Sequence, residues 1–325
     1  MKGRLVVFAV LAIGGASTVE AQCSAAPTQA KQGCYAAVDL VNFMSPQLAT
    51  TIAGGSSTLG QSGALGGLGR FAVSVRGTAI MSGTFPEIDA SAFRTDGQSA
   101  AYRTKSQIVP GGGVDAAIGI WKGVNLGATN VGGIDLLVSG LYMPNFEGEG
   151  GDFSIRAKDG NTKFGYGVRV GVLDESVITP GIYISYLQRD LPTVSLTGTT
   201  SNGTFALNDF SIKTSALRVV ASKNLLIFGL QAGIGQDSYK SSANISATVT
   251  SILGSQSAAA AANMSMTRTN MFVGAMINVF VAKLVVEAGT VTGGSLPDSF
   301  NTFDGVKDLA KASRTYFSGG LRIAF

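Results

Sequence analysis

The sequence predicts an all-β protein: a transmembrane, antiparallel, up-and-down β-barrel of about ten strands, preceded by a short helical segment. Three observations predict it. From Phe71 to Phe325, stretches of about ten residues alternate apolar and small or polar positions with period two. Tight turns and long polar stretches take turns in joining them. The chain is also Gly-rich, with 44 glycines in 325 residues, and charge-poor at 14%, and it opens on the pattern of an export leader.

The leader comes first. Lys2 and Arg4 precede an apolar core from Leu5 to Ile13, and Val19-Glu20-Ala21 places small residues before a cut at Gln22. Residues 1–21 read as a secretory signal peptide, because the apolar run is too short to span a bilayer. A lipoprotein reading of Cys23 needs a small residue before it, and Gln22 stands there. Cys23 and Cys34, the two cysteines, are then expected to pair in an oxidising compartment, the alternative being two free thiols.

Residues 22–69 form a second unit. Val38, Leu40, Val41 and Met44 suggest one short helix; Ser45 as N-cap with Pro46 at the first position suggests another, ended by Gly54. A Gly-rich stretch follows, up to residue 69. This unit serves either as a plug in a lumen or as a periplasmic lid or linker delivering the chain to the first strand.

Residues 70–325 are expected to form the barrel. Val73 and Val75 alternate with Ser74 and Arg76; Val168 and Val170 with Gly167 and Arg169; Leu230 and Ile234 with Gln231 and Gly233; Leu284 and Val286 with Glu287. Met271–Gly289 imitates a spanning helix, but Asn278, Lys283 and Glu287 are expensive at a bilayer centre, and two strands around Ala282-Lys283 fit better. Two places break the pattern. Ile134–Val138 is apolar on both faces, and the apolar parity flips between Ile212 and Leu217, which suggests a bulge near Thr214. Tight turns are expected at Asp174–Ser176, Ser222–Asn224 and Ala282-Lys283, and long outer loops at 83–110, 143–162, 189–205, 239–265 and 293–313. Hairpins inside Tyr102–Ile108 or Ile245–Ile252 would raise the count to twelve or fourteen; the Ala-rich stretch 258–262 reads as a short helix or as disorder.

Composition removes much enzymology. The absence of histidine excludes Ser-His-Asp and Cys-His catalysis and His-ligated metals, and two cysteines make no zinc site. There is no Gly-Lys-Ser/Thr phosphate loop, Gly165-x-Gly167 lies within a strand, and a formal charge of +4 is no nucleic-acid footprint. No catalytic residue, metal site, cofactor or nucleic-acid partner is expected, and the chain is read as a non-enzyme. Glu147, Glu149 and Asp152 form an acidic loop that is either simply solvated or recruits bridging cations. The expected lumen-facing charges are Arg76, Asp115, Arg169, Arg268, Glu287 and Arg322, with Arg218 beside them. Arg76 with Asp115, and Glu287 with Arg322, read as ion pairs across neighbouring strands or as a charged constriction. Trp121, Tyr142, Phe164, Tyr183, Phe280 and Tyr316 suit interfacial girdles.

The chain ends Tyr316-Phe317-Ser318-Gly319-Gly320-Leu321-Arg322-Ile323-Ala324-Phe325. This resembles the insertion signal of Gram-negative outer-membrane barrels, carried by Phe317, Leu321, Ile323 and Phe325. The resemblance implies residence in the cell outer membrane, contact with its lipids and lipopolysaccharide, and recognition of the C-terminal strand by the barrel-assembly machinery. A slighter resemblance is to long-chain fatty-acid transporter-type barrels, with residues 36–69 as a hatch; it implies passive transport of a hydrophobic small-molecule ligand. The chain departs from that family in lacking an Asn-Pro-Ala-type motif before the first strand and in showing ten strands rather than fourteen. The alternative is a closed structural or surface-interaction barrel that works through its outer loops.

Overall fold

The computed structural model describes residues 23, 28–60, 63–86, 104–127, 129–147, 153–200, 203–252, 254–295 and 311–325. The leader, and Glu149 and Asp152 of the acidic loop, lie outside them. Ten strands form the ring: β1 (Phe71–Pro86), β2 (Thr104–Trp121), β3 (Gly133–Tyr142), β4 (Thr162–Leu173), β5 (Gly181–Asp190), β6 (Gly203–Leu225), β7 (Phe228–Ser251), β8 (Gly254–Val279), β9 (Ala282–Thr292) and β10 (Arg314–Ala324). Each pairs antiparallel with the next. β10 returns to β1, with Val73 opposite Ile323 and Ile80 opposite Tyr316, so the ring closes without an edge. Phe71 and Phe325 exchange backbone hydrogen bonds of 3.1 and 2.9 Å, and their rings stack at 5.0 Å.

Around the ring the usual burial rule is inverted. Val75, Ile118, Leu136, Val168, Ile184, Val219, Leu230, Val273, Leu284 and Phe317 point outward and are exposed, while Ser74, Arg76, Asp115, Arg169, Arg218 and Glu287 point inward and are buried. A contiguous apolar belt of this extent far exceeds the few hundred Å² that soluble monomers leave open. No helix among the described residues is long and apolar enough to cross a membrane.

The belt ends at one level on the three longest strands. Outward positions on β7 change from Leu230 and Ile234 to Gln236, Ser238 and Lys240; on β8 they change from Met271 to Thr269 and Thr267. Beyond this level β6, β7 and β8 continue, β7 by about 50 Å at roughly 3.3 Å per residue. Their inward face there becomes apolar: Phe205, Phe210, Ile212, Ala243, Ile245, Val249, Met264 and Met266 are buried together. This cap follows the ordinary rule, apolar within and polar without. Strand Val194–Thr200 pairs with the outer part of β6 and with Phe153–Ala157, widening the cap.

One helix, α1 (Thr28–Ala53), fills the cap and enters the ring. Cys23, Cys34, Val38 and Val41 pack into the cap core, and Cys23 is disulfide-bonded to Cys34. The two expected helices are therefore one. Ser45 is not an N-cap; its hydroxyl donates to the Val41 carbonyl at 2.6 Å, and Pro46 sits inside the helix. Pro46 lacks an N–H, so the Asn42 carbonyl loses its helical donor, yet packing on all sides keeps the helix continuous.

Other expectations are corrected in the same way. The turns fall at Leu226-Ile227 and Phe280-Val281, two-residue hairpins flanked by the Leu225–Phe228 and Val279–Ala282 pairs, rather than at 222–224 and 282–283. The bulge of β6 lies between Asn208 and Ser211, at Asp209 with φ 54°, not near Thr214. Ile212 faces inward onto the helix while Leu217 faces out, so the apparent flip is a change of environment. Residues 245–251 and 258–262 extend β7 and β8 instead of adding strands or a helix.

Candidate functional site: an arginine-lined lumen

In an eight-stranded barrel the strand side chains alone fill the interior. Here ten strands, with inward Gly165 and Gly167 on β4 and Gly233 and Gly235 on β7, leave room for a further piece of chain. That piece is the C-terminal half of α1 and residues 54–60, with residues 63–65 below them, while Leu68, Gly69 and Arg70 next to β1 are exposed. It touches inward-facing residues around the ring. Gln47 trades two 2.7 Å hydrogen bonds with the backbone of Thr84, where β1 runs beyond its pairing with β10. The Thr50 hydroxyl lies 3.4 Å from that of Tyr239. Farther down, Ala64 N–H donates to Asp174 in the β4–β5 turn at 3.2 Å.

The helix end is held by guanidinium groups. An α-helix leaves its last carbonyls without partners and carries partial negative charge there. Arg218 donates to the carbonyls of Ala53 at 3.0 Å and Gly55 at 3.2 Å. Arg76 donates to Ser56 O at 2.6 Å and Gly54 O at 3.4 Å, and Arg189 to Ser57 O at 3.0 Å. Asp115 anchors two of these arginines, 2.8 Å from Arg76 and 3.0 Å from Arg189. Arg218 is paired with Asp237, which also accepts from Asn270 at 3.0 Å and Tyr239 at 3.1 Å.

Below the helix the chain runs through bends and a turn, pinned to the wall as it goes. Ser56 donates its N–H, at 3.1 Å, and its hydroxyl to Glu287, which Gln231 also contacts. Tyr316 accepts Gly55 N–H at 2.9 Å and donates to Asn270 at 2.8 Å. Arg169 pairs with Asp135 at 2.6 Å and contacts the Thr58 hydroxyl, while Leu65 N–H donates to both Asp135 oxygens at 3.1 Å. Arg322 donates to Gly60 O at 3.3 Å. Gly55 is a position where only glycine fits: its φ is +79°, and a Cβ would lie 2.2 Å from a Glu287 oxygen.

All six charges read from the sequence, Arg76, Asp115, Arg169, Arg268, Glu287 and Arg322, are buried on the inner face. Arg76 and Asp115 meet. Glu287 and Arg322 do not, since each turns to the central chain instead. Arg268 lies near the cap and donates to Ala312 O at 2.6 Å. Sequence reasoning missed Arg189, Asp135, Asp237 and Arg314. Parity held the signal for the first three: Arg189 follows Tyr183, Ser185 and Leu187 at inward positions of β5, Asp135 precedes Leu137 and Ser139, and Asp237 follows Gly233 and Gly235. Of the aromatics, Trp121, Tyr142, Phe164 and Phe280 are exposed, but Tyr183 and Tyr316 are fully buried lumen residues. Phe317, Leu321 and Phe325 point outward, and Ile323 is half-buried.

No family model and no curated protein matches the chain. Among solved structures it is similar to the ΔS2S3 mutant of TodX, a monoaromatic hydrocarbon channel, at 9% identity over 85% of this chain and 97% of that one, with a TM-score of 0.27. It is also similar to in-vitro folded OmpT, an outer membrane protein of Vibrio cholerae, at 12% identity over 78% and 96%, with a TM-score of 0.19. A third is an anion-selective porin from Comamonas acidovorans, at 10% identity over 79% and 98%, with a TM-score of 0.18. Likenesses this slight assign no function, and the chain's own geometry has to supply one.

Proposed function

We propose that this protein is an outer-membrane barrel for the passive, gated passage of small molecules, with its own residues 28–69 as the stopper. One observation carries the reading. The ring's inner wall is built of buried arginines, carboxylates and hydroxyls, and much of it is satisfied by the backbone of a separate segment rather than by neighbouring strands. A purely structural barrel of about eight strands closes itself with strand side chains alone. This one keeps a wall suited to water and fills it with a chain that bears no charged side chain from Leu40 to Gly69. Such a segment can move without carrying ionised groups out of their pairs.

The apolar belt supports a bilayer around the ring, and the polar outer surface of the cap supports placing the outer parts of β6–β8, with the N-terminal half of α1 inside them, on the far side from the Phe71–Phe325 rim. In this reading the leader exports the chain, and Phe317, Leu321, Ile323 and Phe325 on the outward face serve as the insertion signal. The charged wall suits a polar solute better than the hydrophobic one that the fatty-acid-type resemblance implies. A second reading, a surface-interaction barrel, is favoured by the height of the cap. Planar-bilayer conductance of the whole chain beside a variant lacking residues 36–69 separates the two, with insertion verified by heat-modifiable gel mobility. Larger or more frequent steps in the deletion support the stopper; silence from both inserted proteins moves the weight to the cap.

A further inference from the structure

We infer that the lumen, once its stopper moves aside, passes small anions in preference to cations; this rests on the gated-passage reading above. Among the described residues the buried charges are seven arginines, at 76, 169, 189, 218, 268, 314 and 322, against four carboxylates, at 115, 135, 237 and 287. Guanidinium keeps its proton at any pH the protein meets, so the imbalance is permanent.

The pairing pattern shows where the surplus sits. Arg169 and Arg218 each have a carboxylate of their own, whereas Arg76 and Arg189 share one. Arg322 and Arg268 make their described hydrogen bonds to backbone carbonyls, and Arg268 Nε and Nη1 have no hydrogen-bond partner among the described residues. The carbonyls of Ala53, Gly55, Ser56, Ser57 and Gly60 therefore stand where a mobile anion would stand in an open passage, at the partially negative end of a helix. Because residues 40–69 are uncharged, their departure removes those dipoles and leaves the wall's charge unchanged. The freed guanidiniums are then met by water and by anions from solution, as in pores lined by Arg or Lys.

The test uses the full chain with Gly55→Val and Gly60→Val. Both glycines have φ in the left-handed region, and a Cβ would meet Glu287 at 2.2 Å or Val285 at 2.6 Å. The double substitution dislodges the segment without altering a wall charge. In a potassium chloride gradient across a planar bilayer, the reversal potential is expected to have the sign of chloride transport, with chloride several-fold more permeant than potassium. Adding Arg268→Gln and Arg322→Gln, which strands no buried carboxylate, is expected to pull the reversal potential toward zero. If the double variant does not fold, spontaneous openings of the unaltered chain give the same reading. A cation-selective or unselective open pore would overturn the inference and leave the stopper standing. Silence from a verified, inserted double variant would overturn both.

Discussion

Arg218 Nη2 lies 3.0 Å from the carbonyl oxygen of Ala53, the last residue of the helix, while the same guanidinium is paired with Asp237. One fully buried side chain thus couples the barrel wall to the stopper. Replacing it, as in Arg218→Met, strands the Asp237 carboxylate and releases the helix end. Breaking a buried pair by removing one partner costs about 3 kcal/mol or more. The expected result is a lower denaturation midpoint in detergent together with more frequent channel openings. A variant as stable and as quiet as the unaltered chain would mean that the clamp holds nothing.

The cap offers a separate handle on the same segment. Phe205 lies in the apolar core that holds the N-terminal half of α1, well beyond the belt. Phe205→Ala is expected to destabilise the cap by about 3 kcal/mol. Hydrogen exchange is the measurement: protection of α1 between Ala30 and Met44 should fall while β3, β4 and β5 keep theirs. Equal loss in the ring would show that cap and barrel unfold as one unit.

The Lys158–Asp209 contact ties the outer part of β6 to the chain following Phe153–Ala157. The Lys158 ammonium, as hydrogen-bond donor, holds the Asp209 carboxyl below the ordinary carboxylate range, and Asp209 in turn raises Lys158. A lowered carboxyl pKa contributes stability that is present above its unfolded value, about 3.9, and is lost as pH falls through the folded value. A raised ammonium pKa contributes stability that is present below about 10.4 and is lost as pH rises beyond it. Both groups are solvent-exposed, so the effect is small. Asp209→Asn tolerates the positive φ and should lower the melting temperature slightly at pH 7 and by less at pH 3. An equal shift at both would assign the effect to the backbone rather than to the charge.

The ring was legible in the sequence because one parity rule holds along each membrane-height strand: apolar outward, small or charged inward. Val168, Arg169 and Val170 state that rule without ambiguity. The cap was not legible because the meaning of the same parity reverses past Gln236. There Ser246 and Thr248 face out and Ile245 and Val249 face in, which read as a polar loop. The stopper was read as two helices because Pro46 is an ordinary helix-start signal; burial on every side overrode it. The turns slipped because Leu226 and Phe280 adopt positive φ, at 58° and 53°, without the Gly or Asn that usually marks such a turn.

Parity placed the wall charges but not their partners. Nothing in the spacing of Glu287 and Arg322 says that each binds an uncharged segment more than 200 residues earlier in the chain instead of the other. Such contacts follow from a lumen wide enough for a chain, which local sequence does not encode.

The account turns on where residues 54–60 lie. The hydroxyls of Ser57 on the stopper and Ser185 on β5 are in hydrogen-bond contact inside the ring. The variant Ser57→Cys/Ser185→Cys is therefore expected to cross-link spontaneously under oxidising conditions and to lock the lumen shut. Its conductance in a planar bilayer should be absent until reductant is added and should then rise to that of the reduced parent chain, which controls for the Cys23–Cys34 bond. Failure to cross-link, or the same conductance with the bridge formed and broken, would place the segment outside the path and contradict the stopper.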